Sequence, residues 1–282
     1  MEICYNTKPF WKEDPELVFS ALNSLDMHNL ELHLGNFLIH TWNIGEVKKL
    51  IKKYNMHIPI VDGGWYDFLH FNDLDQNEVT LENQINLAKE FNAPCLRLFL
   101  TQATTRQIWE RSTEELSASI DELIDMSNGI HILFETHDGV TLKARWMKKF
   151  FNDAYYYRKR LHEKMSHGAL LDISGLLTPG IVYDPMNMVR GMEDVDEGYD
   201  ILEPLIKHIH IKGGMLENGF GSLGEGDYTQ LTLNFLKKIS KAGYKGFLGI
   251  EYEGVNNPFL GLLKSRNYLL WANRKFKLGI EI

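Results

Sequence analysis

Eight short apolar runs alternate along this chain with longer stretches of helical periodicity, and no other feature restricts its fold as much. The runs extend from Glu2 to Tyr5, Leu30 to Leu34, His57 to Val61, Cys95 to Leu100, His131 to Phe134, Gly180 to Tyr183, His208 to Ile211 and Phe247 to Ile250. Helical patterns are predicted from Pro15 to Leu25, Ile44 to Tyr54, Glu78 to Phe91, Ser112 to Met126, Leu142 to Lys164, Gly198 to Ile206, Thr229 to Ala242 and Phe259 to Phe276. A strand that returns parallel to its predecessor needs a long crossover, usually a helix. Eight such units fit a closed barrel better than an open sheet, and 282 residues match the ~250 typical of a (β/α)8 TIM barrel. We therefore expect one α/β domain of this kind over residues 1–282. Within it, Ser112 and Glu115 have the spacing of a capping box. Asp62-Gly63-Gly64 reads as a turn closing the third strand. Ala169 to Ile173 reads either as an extra strand or as part of a helix–loop excursion.

Charge and hydropathy exclude some partners. The formal net charge is -8, without a run of Lys or Arg. Such a chain repels phosphate backbones, which counts against nucleic acid. No apolar stretch approaches the ~18 residues of a membrane span. The N-terminus lacks the charged-then-apolar pattern of a signal peptide, so a cytoplasmic enzyme is the expectation. The two cysteines, Cys4 and Cys95, could form one pair but no disulfide framework. Both lie in apolar runs and are expected as buried, reduced thiols.

In a barrel of this kind functional side chains sit at the C-terminal ends of strands. There the fifth strand offers Glu135 and His137, the sixth Asp184 and Asn187, the seventh His208, His210 and Lys212, and the eighth Glu251 and Glu253. Period-two alternation puts Glu135 with His137, His208 with His210 and Lys212, and Glu251 with Glu253 on shared faces. Inward carboxylates from neighbouring strands repel in a low dielectric unless a cation lies between them. Two Glu, one Asp and one His form a hard, oxygen-rich set suited to one divalent metal ion: Mn2+, Mg2+ or Co2+, with Zn2+ also compatible. Taken singly, Asp184 could initiate a turn, His210 could be a bonded interior histidine, Glu135 could cap a helix, and Glu251 with Glu253 could be solvated. All four functional readings together explain why these residues recur at the ends of four consecutive strands. Glu31 and His33 either reach the pocket or form a buried ion pair. Arg97 is expected to pair with an interior carboxylate, and His208 to be a packed, satisfied histidine. Trp65, Tyr66 and Phe68 either wall a sugar pocket or cover the mouth.

The segments FETHDG, IVYDPMN, HIHIKGG, LGEGDY and GYKGFLGIEYEG, in this order, resemble the xylose-isomerase-like TIM barrels. That superfamily includes sugar isomerases and epimerases, inosose and dehydroshikimate dehydratases, hydroxypyruvate isomerase and the endonuclease IV repair enzymes. The resemblance implies Glu135, Asp184, His210 and Glu251 as metal ligands, with Glu135 and Glu251 as the acid/base pair of epimerase-like members. It also implies carbohydrate metabolism, a sugar or polyol-derived substrate and a homo-oligomer. The chain departs from the keto-sugar epimerases at Asn187, where they carry His, and at Ile211-Lys212-Gly213-Gly214, where they carry Gly-Glu and a downstream Arg. It lacks the Asp-x-His of endonuclease IV at Gly226-Asp227-Tyr228.

The chemistry expected is proton transfer beside a carbonyl through a metal-stabilised enediolate. Glu135 and Glu251, on strands taken to be opposite in the ring, would act as bases. His137, Lys212, Asn187 and Trp65 are the expected substrate contacts. The activity is thus an isomerase or epimerase of a sugar or hydroxy-ketone. The alternatives are a lyase or dehydratase using the same site, and a non-catalytic sugar-binding barrel.

Overall fold

The computed structural model describes residues 1–38, 42–66, 80–100, 113–127, 129–165, 179–216, 219–254 and 256–281. Eight strands close into a parallel barrel in which each pairs with its sequence neighbours and the last returns to the first. They are β1 (Glu2–Asn6), β2 (Asn29–His33), β3 (His57–Tyr66), β4 (Cys95–Leu100), β5 (His131–Glu135), β6 (Gly180–Tyr183), β7 (Ile206–Ile211) and β8 (Phe247–Ile250). The intervening helices are α1 (Pro15–Ser24), α2 (Gly35–Leu38), α3 (Ile44–Lys53), α4 (Leu81–Glu90), α5 (Thr113–Ser127), α6 (Ala144–Met165), α7 (Pro185–Arg190), α8 (Val195–Leu202), α9 (Thr229–Ala242) and α10 (Pro258–Phe276). The expected (β/α)8 architecture is the one observed. Short polar signals set the helix starts. Asp14 accepts from Leu17 N at 3.2 Å ahead of Pro15, and Asn257 accepts from Leu260 N at 3.1 Å ahead of Pro258.

Two apolar clusters fill different spaces. The large one joins strand and helix residues such as Phe19, Leu32, Phe134, Phe151, Tyr183 and Phe235. A separate one consists of Ile60, Leu133 and Val182, with Cys95 packed against it. Their strands, β3, β5 and β6, place this second cluster inside the ring, where a TIM barrel is filled by side chains. Cys4 is buried, Cys95 half-buried, and both are free thiols.

The structure corrects two local expectations and adds one element. Asp62-Gly63-Gly64 is no turn: β3 continues to Tyr66 through a register shift against β4. Gly63 permits this, because a Cβ there would stand 2.7 Å from the Arg97 carbonyl oxygen. The helix expected from Gly198 to Ile206 is α8, ending at Leu202. A 3-10 turn containing Pro204 follows, and β7 starts at Ile206. Immediately after Asp184 the chain forms the short helix α7, which periodicity alone did not signal. Ser112 and the Ala169 to Ile173 segment lie outside the described residues.

Candidate metal centre at the barrel mouth

Glu135 ends β5, Asp184 follows β6, His210 lies near the end of β7, and Glu251 follows β8. One candidate ligand atom from each lies within 4.8 Å of all the others, and all four residues are buried. They occupy one arc of four consecutive strands. β5 and β8 are three strands apart in the ring, whereas diametric opposition needs four; the strand opposite β5 is β1. The two glutamates therefore close the ends of an arc instead of facing across the barrel.

Local structure aims each carboxylate. Asp184 Oδ1 caps α7, accepting from Met186 N at 2.8 Å and Asn187 N at 3.1 Å. Its Oδ2 is left for the site and lies 3.0 Å from Lys212 Nζ. The turn-initiating reading of Asp184 is thus met by Oδ1, while Oδ2 faces the candidate donor set. The same helix turn presents Asn187, whose amide donates to Glu135 Oε1 at 3.0 Å. Glu251 is held by two ammonium groups, Lys212 Nζ at 2.7 Å from Oε2 and Lys8 Nζ at 3.1 Å from Oε1. Both lysines also reach Glu253, at 3.5 Å and 2.6 Å, closing an alternating ring of two cations and two anions.

Beneath the mouth a second ring of side chains crosses the barrel. His210 Nε2 is 3.3 Å from Glu31 Oε2, which accepts from Asn6 Nδ2 at 3.0 Å. Asn6 also donates to Asp62 Oδ2. Asp62 pairs with Arg97 at 3.0 and 3.1 Å. Arg97 Nε lies 3.3 Å from Glu135 Oε2, and Glu135 Oε1 is 3.4 Å from His210 Nδ1, which completes the circuit. Arg97 thus pairs with two interior carboxylates, and its guanidinium sits 4.0 Å from the Phe99 ring centre.

Burial and charge oppose each other in this layer. Burial would raise the Glu135 carboxyl, but His210 and Arg97 outweigh it and lower it to about 2. Burial likewise opposes ionisation of Glu251, and Lys212 and Lys8 hold that carboxyl well below its usual range. Asp184 goes the other way. Burial raises it, and Glu135 and Glu251 add to the shift against the opposing pull of Lys212. Burial would lower His210, yet Glu31 and Glu135 raise it well above the ordinary imidazole range. Three carboxylates crowded together, one of them reluctant to ionise, favour an added cation.

The donor set also fits a metal by its unmet valences. Glu135 Oε2, Asp184 Oδ2 and His210 Nδ1 are buried without a hydrogen bond, although each lies within an ion-pair distance of an opposite charge. Such groups cost roughly 1–3 kcal/mol each when left unsatisfied. Three hard oxygens and one imidazole nitrogen suit Mg2+, Mn2+ or Co2+ and are compatible with Zn2+.

The sequence profile described as xylose isomerase-like TIM barrel matches residues 35–270. The chain belongs to this family. No curated protein matches it closely enough in sequence to stand as a relative. Solved barrels of the same fold are similar over nearly their whole length. The probable 3-DHS dehydratase AsbF of Bacillus anthracis is 15% identical, with 96% of this chain and 99% of that one covered and a TM-score of 0.71. The 3-keto-D-glucoside 4-epimerase YcjR of E. coli is 15% identical, with 97% and 99% covered and a TM-score of 0.63. A xylose isomerase-like TIM barrel protein of Mycobacterium smegmatis, in complex with magnesium, is 17% identical, with 96% and 95% covered and a TM-score of 0.63.

Not every expected site residue of this xylose isomerase-like barrel joins the four-residue cluster. Lys212 touches two of its members, and Asn187 is buried with its amide committed to Glu135. His137 follows β5 at the mouth, 27% exposed, with Nδ1 2.7 Å from Asp138 and its ring 4.3 Å from Phe99. The Trp65 and Tyr66 backbones end β3, while their side chains and all of Phe68 lie outside the described residues. Glu31 takes part in a buried ion pair. His33 Nδ1 accepts from Gly35 N at 3.2 Å, and burial lowers this imidazole to about 4. His208 is packed and bonded to Glu31, as expected of an interior histidine. Sequence reading missed Lys8, Asn6 and Asp62. The only available hints were a polar residue ending the first strand and a lysine two positions beyond it. Among the described residues no helix is long and apolar enough to cross a membrane.

Proposed function

We propose that this barrel is a divalent-metal-dependent isomerase or epimerase that moves a proton on the carbon beside the carbonyl of a sugar or hydroxy-ketone. The observation that carries the reading is the pair of glutamates in one candidate donor set, each restrained by different neighbours. Asn187 holds Glu135 while Lys8 and Lys212 hold Glu251, so two separately tuned carboxylates border one reacting centre. A divalent cation held by Glu135, Asp184, His210 and Glu251 would supply Lewis-acid polarisation of the carbonyl and adjacent hydroxyl oxygens. Glu251 is kept ionised by its lysines and serves as a base toward the carbon-bound proton. Glu135, at the other end of the arc, serves as the second proton-transfer group. They reach the centre from the two ends of an arc of four strands, and inversion would require that they serve opposite faces of a planar carbon. Lys212 anchors a substrate oxygen, and His137 at the mouth contacts a hydroxyl.

One observation favours a second reading, a lyase or dehydratase at the same centre. The Lys212 ammonium, 2.7 Å from Glu251 and 3.0 Å from Asp184, is a cationic hydrogen-bond donor able to assist departure of a hydroxyl group. The likeness to an epimerase and to a probable dehydratase supports the shared first step, removal of a proton beside a carbonyl.

The test uses Glu135→Gln and Glu251→Gln, because glutamine keeps a ligating oxygen and removes the base. Elemental analysis should find about one divalent ion in the wild type and much of it in each variant. Screening against keto-sugars, inososes and hydroxypyruvate should find turnover reduced by about 10^2-fold or more in both. Solvent-deuterium exchange at the substrate carbon should survive in one variant and vanish in the other. Full activity in either variant refutes the two-base mechanism, and loss of water with a new carbonyl or alkene absorbance assigns the lyase reading.

A further inference from the structure

A histidine that ligates through one ring nitrogen carries its proton on the other, and a carboxylate or carbonyl accepting that N–H normally fixes both tautomer and ring orientation. His210 has two inequivalent sides. Nδ1 looks into the donor set, 3.4 Å from Glu135 Oε1 and 3.9 Å from Glu251 Oε2. Nε2 looks away from it, 3.3 Å from Glu31 Oε2. Glu31 comes from β2, is fully buried and has no place in the four-residue set.

Three other strands converge to keep Glu31 in that position. Asn6 from β1 donates to Oε2 at 3.0 Å, and His208 from β7 bonds to Oε1. On β8, Gly249 leaves the room they need: a Cβ there would overlap Glu31 Oε1 and stand 2.7 Å from His208 Nε2. The carboxylate is thus braced on both oxygens and crowded from behind, with its Oε2 turned toward the imidazole.

From this geometry we infer that Glu31 is a positioning residue for the metal centre, accepting the His210 Nε2–H so that Nδ1 is presented to the ion. The inference rests on the metal-dependent reading above. Glu31, His208 and His210 are close enough to form a three-ligand site of their own. The existing bonds argue against that use. Both Glu31 oxygens are already engaged, and His208 Nε2 is committed to one of them, so an ion would have to break the contacts that hold the carboxylate in place.

The test measures Co2+ binding by calorimetry on metal-free wild type, Glu31→Gln and His208→Gln, with melting curves as a folding control. Glutamine keeps the size of Glu31 but offers one oxygen to the donors of Asn6, His208 and His210. Glu31→Gln should weaken Co2+ binding by about 10–100-fold, the usual loss when the partner of a ligand is removed. His208→Gln, which keeps a donor for Glu31 Oε1 and leaves the Glu31–His210 contact, should weaken it by less than Glu31→Gln does. A second measurement needs no variant. Long-range 1H–15N spectra of the Zn2+-loaded, histidine-labelled wild type should show His210 protonated on Nε2 and metallated on Nδ1. Co2+ affinity unchanged in Glu31→Gln, or a proton on Nδ1 in the wild type, overturns the role of Glu31 and leaves the metal centre standing. A wild type that binds neither Co2+ nor Zn2+ overturns both.

Discussion

Asp184 caps α7 with one oxygen and turns the other to the proposed metal site, and substitution can separate the two. Alanine removes the cap of α7, leaving Met186 N and Asn187 N without their acceptor. Loss of such a cap costs about 0.5–2 kcal/mol. At ~2.1 cal/mol/K per residue, a chain of this length unfolds with an entropy of roughly 0.6 kcal/mol/K, so Asp184→Ala should lower the Tm in chelator by about 1–3 °C. Asparagine retains an acceptor at Oδ1. It also removes a carboxylate whose ionisation is opposed by burial and by Glu135 and Glu251, although Lys212 partly offsets this. Ionising that group costs more in the folded chain than in the unfolded one, so Asp184→Asn should melt in chelator at or slightly above the wild-type temperature. Metal separates the proteins in the other direction. At 100 times its Kd an ion adds ~2.7 kcal/mol, or about 4–5 °C here, to the wild type. Both variants should lose most of that gain. The assay is scanning calorimetry with chelator and with Mn2+ or Co2+, followed by metal analysis. A fall in chelator for Asp184→Asn as large as for Asp184→Ala refutes the division of the carboxylate. Stoichiometric, tight metal in Asp184→Ala means that the donor set is wrongly assigned.

Two further outcomes are expected. Glu31 and Glu135, against the effect of burial, raise His210 well above the ordinary imidazole range, and burial raises Asp184, so both hold protons more tightly than free side chains. Ligation requires their unprotonated forms, so binding must release protons and affinity must rise with pH. Calorimetry of Co2+ binding in two buffers of different ionisation enthalpy should give different heats, and equal heats exclude proton release. His137→Gln should reduce turnover by about ten-fold or more, the low end for a lost acid/base group, while leaving metal content unchanged. Unaltered turnover on a good substrate would make His137 a structural residue held by Asp138 and Phe99.

Much of this molecule is legible locally. Strand and helix periodicity depends on neighbours a few positions apart, so all eight strands appear in the sequence within two residues of their ends, except β3. The side chains at the ends of β5 to β8 are also local information, because alternation along a strand decides which face each one takes. Lys212 was visible for the same reason, lying two residues beyond His210, and Asn187 through the segment IVYDPMN that carries the family resemblance. What could not be read locally is which inward side chains meet. Asn6, Glu31, Asp62, Arg97, Glu135 and His210 come from six strands and touch only after the ring closes. Asp62 looked like the start of a turn because Asp-Gly-Gly favours one. In the barrel, pairing with Arg97 and the room provided by Gly63 keep the strand going. Lys8 offered only its place two residues beyond the first strand, since its partners Glu251 and Glu253 are more than 240 residues away along the chain. The sequence by itself determined the barrel and the four residues at its mouth. The tertiary structure alone decided how their charges are balanced, because electrostatic partners are chosen by distance in space and the polar ring exists only in the closed fold.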